Sequence, residues 1–143
     1  MVPVTIERTI DGRPGALQYW IDKTISAAVV ERDRIRLPRW CSLESQYGLM
    51  RAFDALAGKL ARTSADVVIG QDDGLARLID QAGAFPTSRR LDARVAKPQV
   101  GEELARRLRG LSAARLAAAL SPWLDRAQQK AILARRDALL GTR

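Results

Sequence analysis

Apolar positions recur at steps of three and four along most of this chain, the spacing of helices that bury one face. Leu17, Trp20, Ile21, Thr24, Ile25 and Ala28 predict a first helix over residues 16–32, with Pro14 just ahead of its first turn. Leu43, Tyr47, Met50, Phe53, Ala57 and Leu60 make the cleanest stripe, over residues 42–62. Ser42 is placed to cap it and Glu44 suits the positive end of its dipole. Leu75, Leu78 and Ile79 predict a short helix stopped by Gly83. The last third, residues 101–143, is rich in Ala, Leu and Arg and carries its own start and stop signals. Leu104, Leu108 and Leu111 share a face, Gly110 ends that helix, Ser112 caps the next, and Ser121-Pro122 restarts the chain. On the final helix Trp123, Leu124, Ala127, Ala131, Ala134 and Ala138 lie within an arc of about 100° at 3.6 residues per turn.

A few stretches break this period. Val4 and Ile6 alternate with Thr5 and Glu7, and the turn formers Asp11-Gly12-Arg13-Pro14-Gly15 follow. This reads as an extended arm or edge strand that lies on helices, pairs with residues 34–37, or docks on a neighbouring subunit. Residues 31–40 form a charge-dense connector in which Arg34 and Arg36 face one way and Ile35 and Leu37 the other if it is extended. Residues 65–69 fit either a helix start capped by Ser64 or a brief extended piece, and Ser88 could cap a further turn to residue 95. The expected fold is therefore all-α: a compact helical bundle of about five to six helices with a short extended N-terminal arm. No repeat or long linker divides the 143 residues, so one domain is expected: an arm at 1–15, N-terminal helices at 16–98 and a C-terminal helical block at 99–143.

Composition sharpens this picture at two points. Aromatics are 5% of the chain, so aliphatic residues and Ala must build most of the core, and Trp20, Trp40 and Trp123 are expected as core anchors. The net charge is +8, and only Lys23, Lys59, Lys97 and Lys130 of the cations are lysine. A surplus of guanidinium groups points to a polyanionic partner, since their planar forks bind phosphate oxygens in pairs and stack on bases. Cys41 is alone, which excludes an intrachain disulfide and fits a reducing compartment. With no signal-peptide pattern and no run of 18 apolar residues, a cytoplasmic protein with no membrane partner is expected.

Candidate chemistry is sparse. Histidine is absent, which removes the commonest general base at neutral pH, the Ser-His-Asp and Cys-His arrangements and the usual zinc ligand. One cysteine cannot build a thiolate metal site, and Cys41 is expected as a small apolar filler. Asp72-Asp73 and Glu102-Glu103 each precede or open a helix, where the dipole accounts for them. No phosphate-binding glycine loop occurs, and residues 70–74 are too short for a calcium loop. No enzymatic activity, catalytic residue, metal, cofactor or small-molecule substrate is expected.

The arginine clusters are what remain. Arg34, Arg36 and Arg39 lead into Trp40, where a basic run meets an aromatic ring as stacking on unpaired bases requires. Arg89 and Arg90 follow the Phe85-Pro86 turn; Arg106, Arg107 and Arg109 share the outer face of one helix and Arg115 lies on the next; Arg135 and Arg136 fall on the last. Each could be a solvated or ion-paired surface charge. Phosphate contacts add, however, so the clusters together define the candidate nucleic-acid-binding residues. A helix-turn-helix is also conceivable over residues 73–82 and 88–95, joined by the turn at 83–86.

In size, expected helicity, charge and lack of catalytic residues, the chain resembles the small helical subunits of multi-subunit CRISPR effector complexes. Tyr47-Gly48-Leu49-Met50-Arg51-Ala52-Phe53 is the local stretch that carries the likeness. The resemblance implies a non-catalytic subunit lining guide–target nucleic acid, and no functional residue is carried over from it. The expected function is nucleic-acid binding (RNA or DNA backbone, without sequence preference) inside a larger ribonucleoprotein. Its partners would be nucleic acid and other protein subunits, copies of itself included. The alternatives are a helix-turn-helix regulator and a helical adaptor or chaperone whose Ala-rich final helix packs on a partner protein.

Overall fold

A computed structural model describes residues 2–38, 40–60, 62–92 and 100–141. It corrects the all-α expectation: these residues form five α-helices and five strands in two antiparallel sheets, a mixed α/β fold. They cluster into two compact units, each built from two pieces of the chain: Met1–Gln46 with Thr63–Asp80, and Tyr47–Arg62 with Gln81–Arg143.

In unit 1 the arm is half of a β-hairpin. β1 (Thr5–Ile10) pairs antiparallel with β2 (Arg13–Gln18), from Thr5 opposite Gln18 to Ile10 opposite Arg13. The two-residue loop is Asp11-Gly12, both with positive φ (50° and 75°), the mirror-image turn whose twist matches that of paired strands. The helix expected over residues 16–32 is absent from its first half. Leu17 and Ile21 repeat at helical spacing, but pairing with the β-branched arm and a loop that favours Asp-Gly win over that weak local signal. Pro14 sits within β2, which is tolerated because a two-stranded ribbon has only edges.

β3 (Thr24–Ser26) pairs with β4 (Val67–Gly70), which pairs with β5 (Ala76–Leu78), giving a three-stranded antiparallel sheet. β5 replaces the helix expected over residues 75–82, so the helix-turn-helix loses its first member. Residues 88–92 are not helical either, and residues 93–95 of its second member lie outside the described residues. Of the two options for 65–69, the extended one is adopted, after a 3-10 turn at Ser64–Asp66. α1 (Ala27–Asp33) begins where Ser26 Oγ accepts from the Val29 N–H and ends at Arg34, whose φ is 52°. Ala27, Ile69 and Leu78 are fully buried, and Val30 and Val67 nearly so. The Gln46 amide accepts from the Ala76 N–H (2.7 Å) and donates to the Gly74 carbonyl (3.0 Å), satisfying backbone that the short β5 leaves over.

α2 (Leu43–Ala57) starts as expected, with Ser42 Oγ accepting from the Ser45 N–H at 3.1 Å. It ends earlier than residue 62, at Gly58 with φ 70°, where the Lys59 N–H reaches back to the Asp54 carbonyl. Three further helices belong to unit 2: α3 (Glu102–Arg109), α4 (Ala113–Leu120) and α5 (Arg126–Leu140). Gly110 and Ser112 act as expected, Ser112 Oγ accepting from the Arg115 N–H. The restart at Ser121-Pro122 does not occur. Residues 121–123 form a turn, and Asp125 caps α5 through a reciprocal pair with Gln128. Ala131, Ile132, Arg135 and Leu139 are the buried positions of α5, so its inner face is rotated from the arc centred on the alanines.

All three tryptophans depart from the core role expected of them. Trp20, Trp40 and Trp123 are 79%, 89% and 66% exposed. Cys41 is exposed too. No helix among the described residues is long and apolar enough to cross a membrane.

Leu78→Ala should cost unit 1 about 2–5 kcal/mol, the range for emptying a filled core site. Urea unfolding of the variant checks this, and an unchanged midpoint would mean that Leu78 is not enclosed.

Candidate nucleic-acid interface

The division into two units sorts the chain's charge, which linear reading does not. Unit 2 holds 16 of the 24 basic and 6 of the 16 acidic side chains, a formal +10, while unit 1 holds 8 basic and 10 acidic, −2. The whole surplus of cations therefore belongs to one unit.

Within unit 2 the candidate arginines divide into two groups. Arg106, Arg107 and Arg109 are exposed on α3, opposite the buried Ala105 and Leu108. Glu103 lies between the first two, its carboxylate accepting from Arg106 at 2.7 Å and Arg107 at 2.7 Å. Those bonds, Arg106 first, hold the Glu103 carboxyl below its ordinary range. Acids in the first turn and arginines in the last also suit the α3 dipole. Arg115, exposed on α4, bends back to donate to the Gly110 carbonyl at the end of α3 (3.2 Å), so its charge stands at the same end as Arg109. Arg89 and Arg90 are exposed on the loop that follows Pro86.

Arg135 and Arg136 do a different job. Arg135 is 1% exposed. Its Nε donates to the Leu56 carbonyl at 2.8 Å and its Nη1 to the carbonyls of Pro86 (3.2 Å) and Ser88. Burial pushes its pKa down, yet guanidinium stays charged at neutral pH because its ordinary value is so high. The Pro86 ring and the guanidinium itself explain Gly58: a Cβ there would stand 2.9 Å from Pro86 Cδ and 3.0 Å from the Arg135 guanidinium carbon. Arg136 donates to the Leu111 carbonyl between α3 and α4 and bonds Asp137 at 2.6 Å. Both arginines brace the unit through backbone carbonyls; Arg135 Nη2 is buried with no hydrogen-bond partner among the described residues, and Arg135 and Arg90 both line a cleft of about 330 Å³.

The remaining candidates belong to unit 1. Arg34, Arg36 and Trp40 are exposed, with Ile35 and Leu37 half-buried between them, the alternation expected of an extended connector. Arg39 lies outside the described residues. Sequence reading passed over two further cations of unit 2: Arg126 and Lys130, one turn apart and exposed at the start of α5, just after the exposed Trp123. Their spacing of four was legible, but the misplaced helix start hid which face they occupy.

Other charges are tied up locally. Asp54 and Arg62 form a buried pair at 2.6 Å in unit 2, and Arg77 pairs with Asp73 in unit 1. Among the described residues no group of three His, Cys, Asp or Glu side chains is placed to hold a metal ion. Comparison with protein-family models, curated proteins and solved structures gives no match to this chain.

Arg135→Met should destabilise unit 2 by about 2–4 kcal/mol, because three carbonyls lose a charged donor inside the protein. Chemical unfolding measures it; a loss below about 0.5 kcal/mol would show that the carbonyls find other donors or that water reaches them.

Proposed function

We propose that this protein is a non-catalytic nucleic-acid-binding subunit that grips the phosphate backbone through unit 2, without sequence preference. The segregation of charge carries the reading: a formal +10 is concentrated on a small helical body while the other unit is slightly acidic. Arg106, Arg107, Arg109, Arg115, Arg126 and Lys130 are exposed on its helices, and Arg89 and Arg90 on its loop. Side chains of this kind contact phosphates without reading bases, and each contact releases condensed counterions. The exposed Trp123 offers a flat ring beside Arg126 for an unpaired base.

The helicity on which the likeness to CRISPR small subunits partly rested is reduced by the two sheets. A ribonucleoprotein role now stands on size and charge. With β5 in place of its first helix, a helix-turn-helix regulator has no support.

Glu103 sets a testable brake. The pair is exposed, so solvent and salt screen it and phosphate displaces the carboxylate at little cost. Glu103→Gln should raise affinity for a mixed-sequence oligonucleotide a few-fold at pH 7 and low salt. The pH effect has a definite sign. Because the folded pKa is depressed, the pair's stabilisation is present above the unfolded carboxyl range and is lost as pH falls through the folded value. The same protonation frees Arg106 and Arg107, so parent affinity should rise there by more than that of the Gln variant.

Arg106→Glu with Arg107→Glu should weaken binding at least about tenfold near 0.1 M salt, equally across sequences. It should lower the slope of log affinity on log salt by roughly two, about one per lost contact. Fluorescence anisotropy over a salt series reads both; parental affinity in the double variant would remove α3 from the interface.

A further inference from the structure

The hairpin of unit 1 has an amphipathic face that nothing within the described chain covers. Every residue of β1 and β2 is exposed. Directly opposed residues of an antiparallel pair point to one side. The register therefore puts Val4 with Tyr19, Ile6 with Leu17, Arg8 with Gly15 and Ile10 with Arg13 on one face. Thr5, Glu7, Thr9 and Gln18 take the other. Val4, Ile6, Ile10, Leu17 and Tyr19 are between 44% and 72% exposed, and Val4, Ile6, Leu17 and Tyr19 frame a shallow apolar groove. A lone two-stranded hairpin is marginal in water, so a face of this composition needs a cover.

We propose that the cover is the same face of a second copy, in a two-fold, face-to-face dimer of hairpins. The pattern along the strands is self-complementary. Turn one hairpin over about an axis through the Ile6–Leu17 row and across the strands. Ile6 then meets Ile6 of the second copy and Leu17 meets Leu17. Tyr19 falls on Gly15 of the second copy, the position on this face with no side chain, where a Cβ would find only the Arg8 carbonyl oxygen, 4.0 Å away. Arg8 comes against Val4 of the second copy, with that Tyr19 ring beside it as an aromatic face for the cation. Val2, next in the alternation, meets Ile10, and Arg13 at the tip reaches the exposed Asp22 beyond the base.

Size agrees. With ordinary residue areas, the six apolar side chains expose roughly 600 Å², most of the roughly 800 Å² per partner of a stable interface. The arginine stems lie alongside to supply more. Packing two such faces also gives each hairpin the second layer that it lacks.

Sedimentation equilibrium of the full chain between about 1 and 200 µM tests the proposal. The parent should dimerise, and Leu17→Lys should be monomeric throughout. Because Leu17→Lys could also loosen the hairpin, Gly15→Ile is the discriminating variant. It raises strand propensity, and its Cβ makes only an ordinary contact with the Arg8 carbonyl oxygen, but it fills the seat of Tyr19. Its dissociation constant should rise at least tenfold while the circular dichroism of the strands is kept. Asp22→Arg should weaken the dimer and Arg13→Asp in the same chain should restore it. A parent that stays monomeric at 200 µM would overturn the proposal and leave the face to a different protein. A Gly15→Ile variant that dimerises as tightly as the parent would overturn it too.

Discussion

Unit 2 depends on one buried cation. The Arg135 guanidinium gathers carbonyls from the end of α2 and from the Pro86–Ser88 loop beyond β5, groups that would otherwise be stranded away from water. Burying a charge without a carboxylate beside it is costly, and the cost is met only because several backbone acceptors converge on one side chain. That convergence fixes other choices. Residue 58 must be glycine, because its φ is 70° and a Cβ would press on Pro86 and Arg135. The Phe85 N–H, held close by, takes the Ala57 carbonyl, and the Gln128 amide takes that of Phe85. Once the second half of α5 is turned inward around Arg135, its first turn is left outside with Arg126 and Lys130 exposed.

The arginine surplus thus has two uses that composition cannot separate. Arg135, Arg136 and Arg62 are internal braces, each bonded to backbone or carboxylate inside unit 2. The cations of α3, α4 and the start of α5 remain at the surface, where their local partners are weak ones. Glu103 is shared between two guanidiniums and exposed, and competition with a polyphosphate chain costs little there. What favours a ligand is the excess over the whole unit, since long-range attraction follows summed charge rather than any one contact.

How much of this was legible depended on whether the signal was local. The caps at Ser42 and Ser112, the stop at Gly110 and the start of α2 are written in adjacent residues and were legible, whereas the last member of the α2 stripe, Leu60, falls beyond the helix end and is exposed. The hairpin was written locally as well: Asp11-Gly12 between β-branched residues is a strong turn signal, but Pro14, Gly15 and the helical spacing of Leu17 to Ala28 masked it. β3 and β5 are only three residues long and exist through pairing with β4, more than forty residues from β3 in sequence, so no periodicity within them could announce a strand. Tryptophan is usually drawn inward by its area, which made Trp20, Trp40 and Trp123 misleading. The sorting of charge was out of reach for the same reason as β3 and β5, because each unit is assembled from two separated pieces of the chain.

On the proposed function, phosphate binding belongs to the basic helical unit alone. Amide chemical-shift mapping of the full chain, titrated with a mixed-sequence single-stranded oligonucleotide at low salt, puts this to the test. Shifts should be confined to the exposed turns of α3 and α4, the start of α5 and the loop at Arg89 and Arg90. β1 through β5 should be undisturbed. Shifts centred on the hairpin or the three-stranded sheet, or none at any concentration, would contradict it.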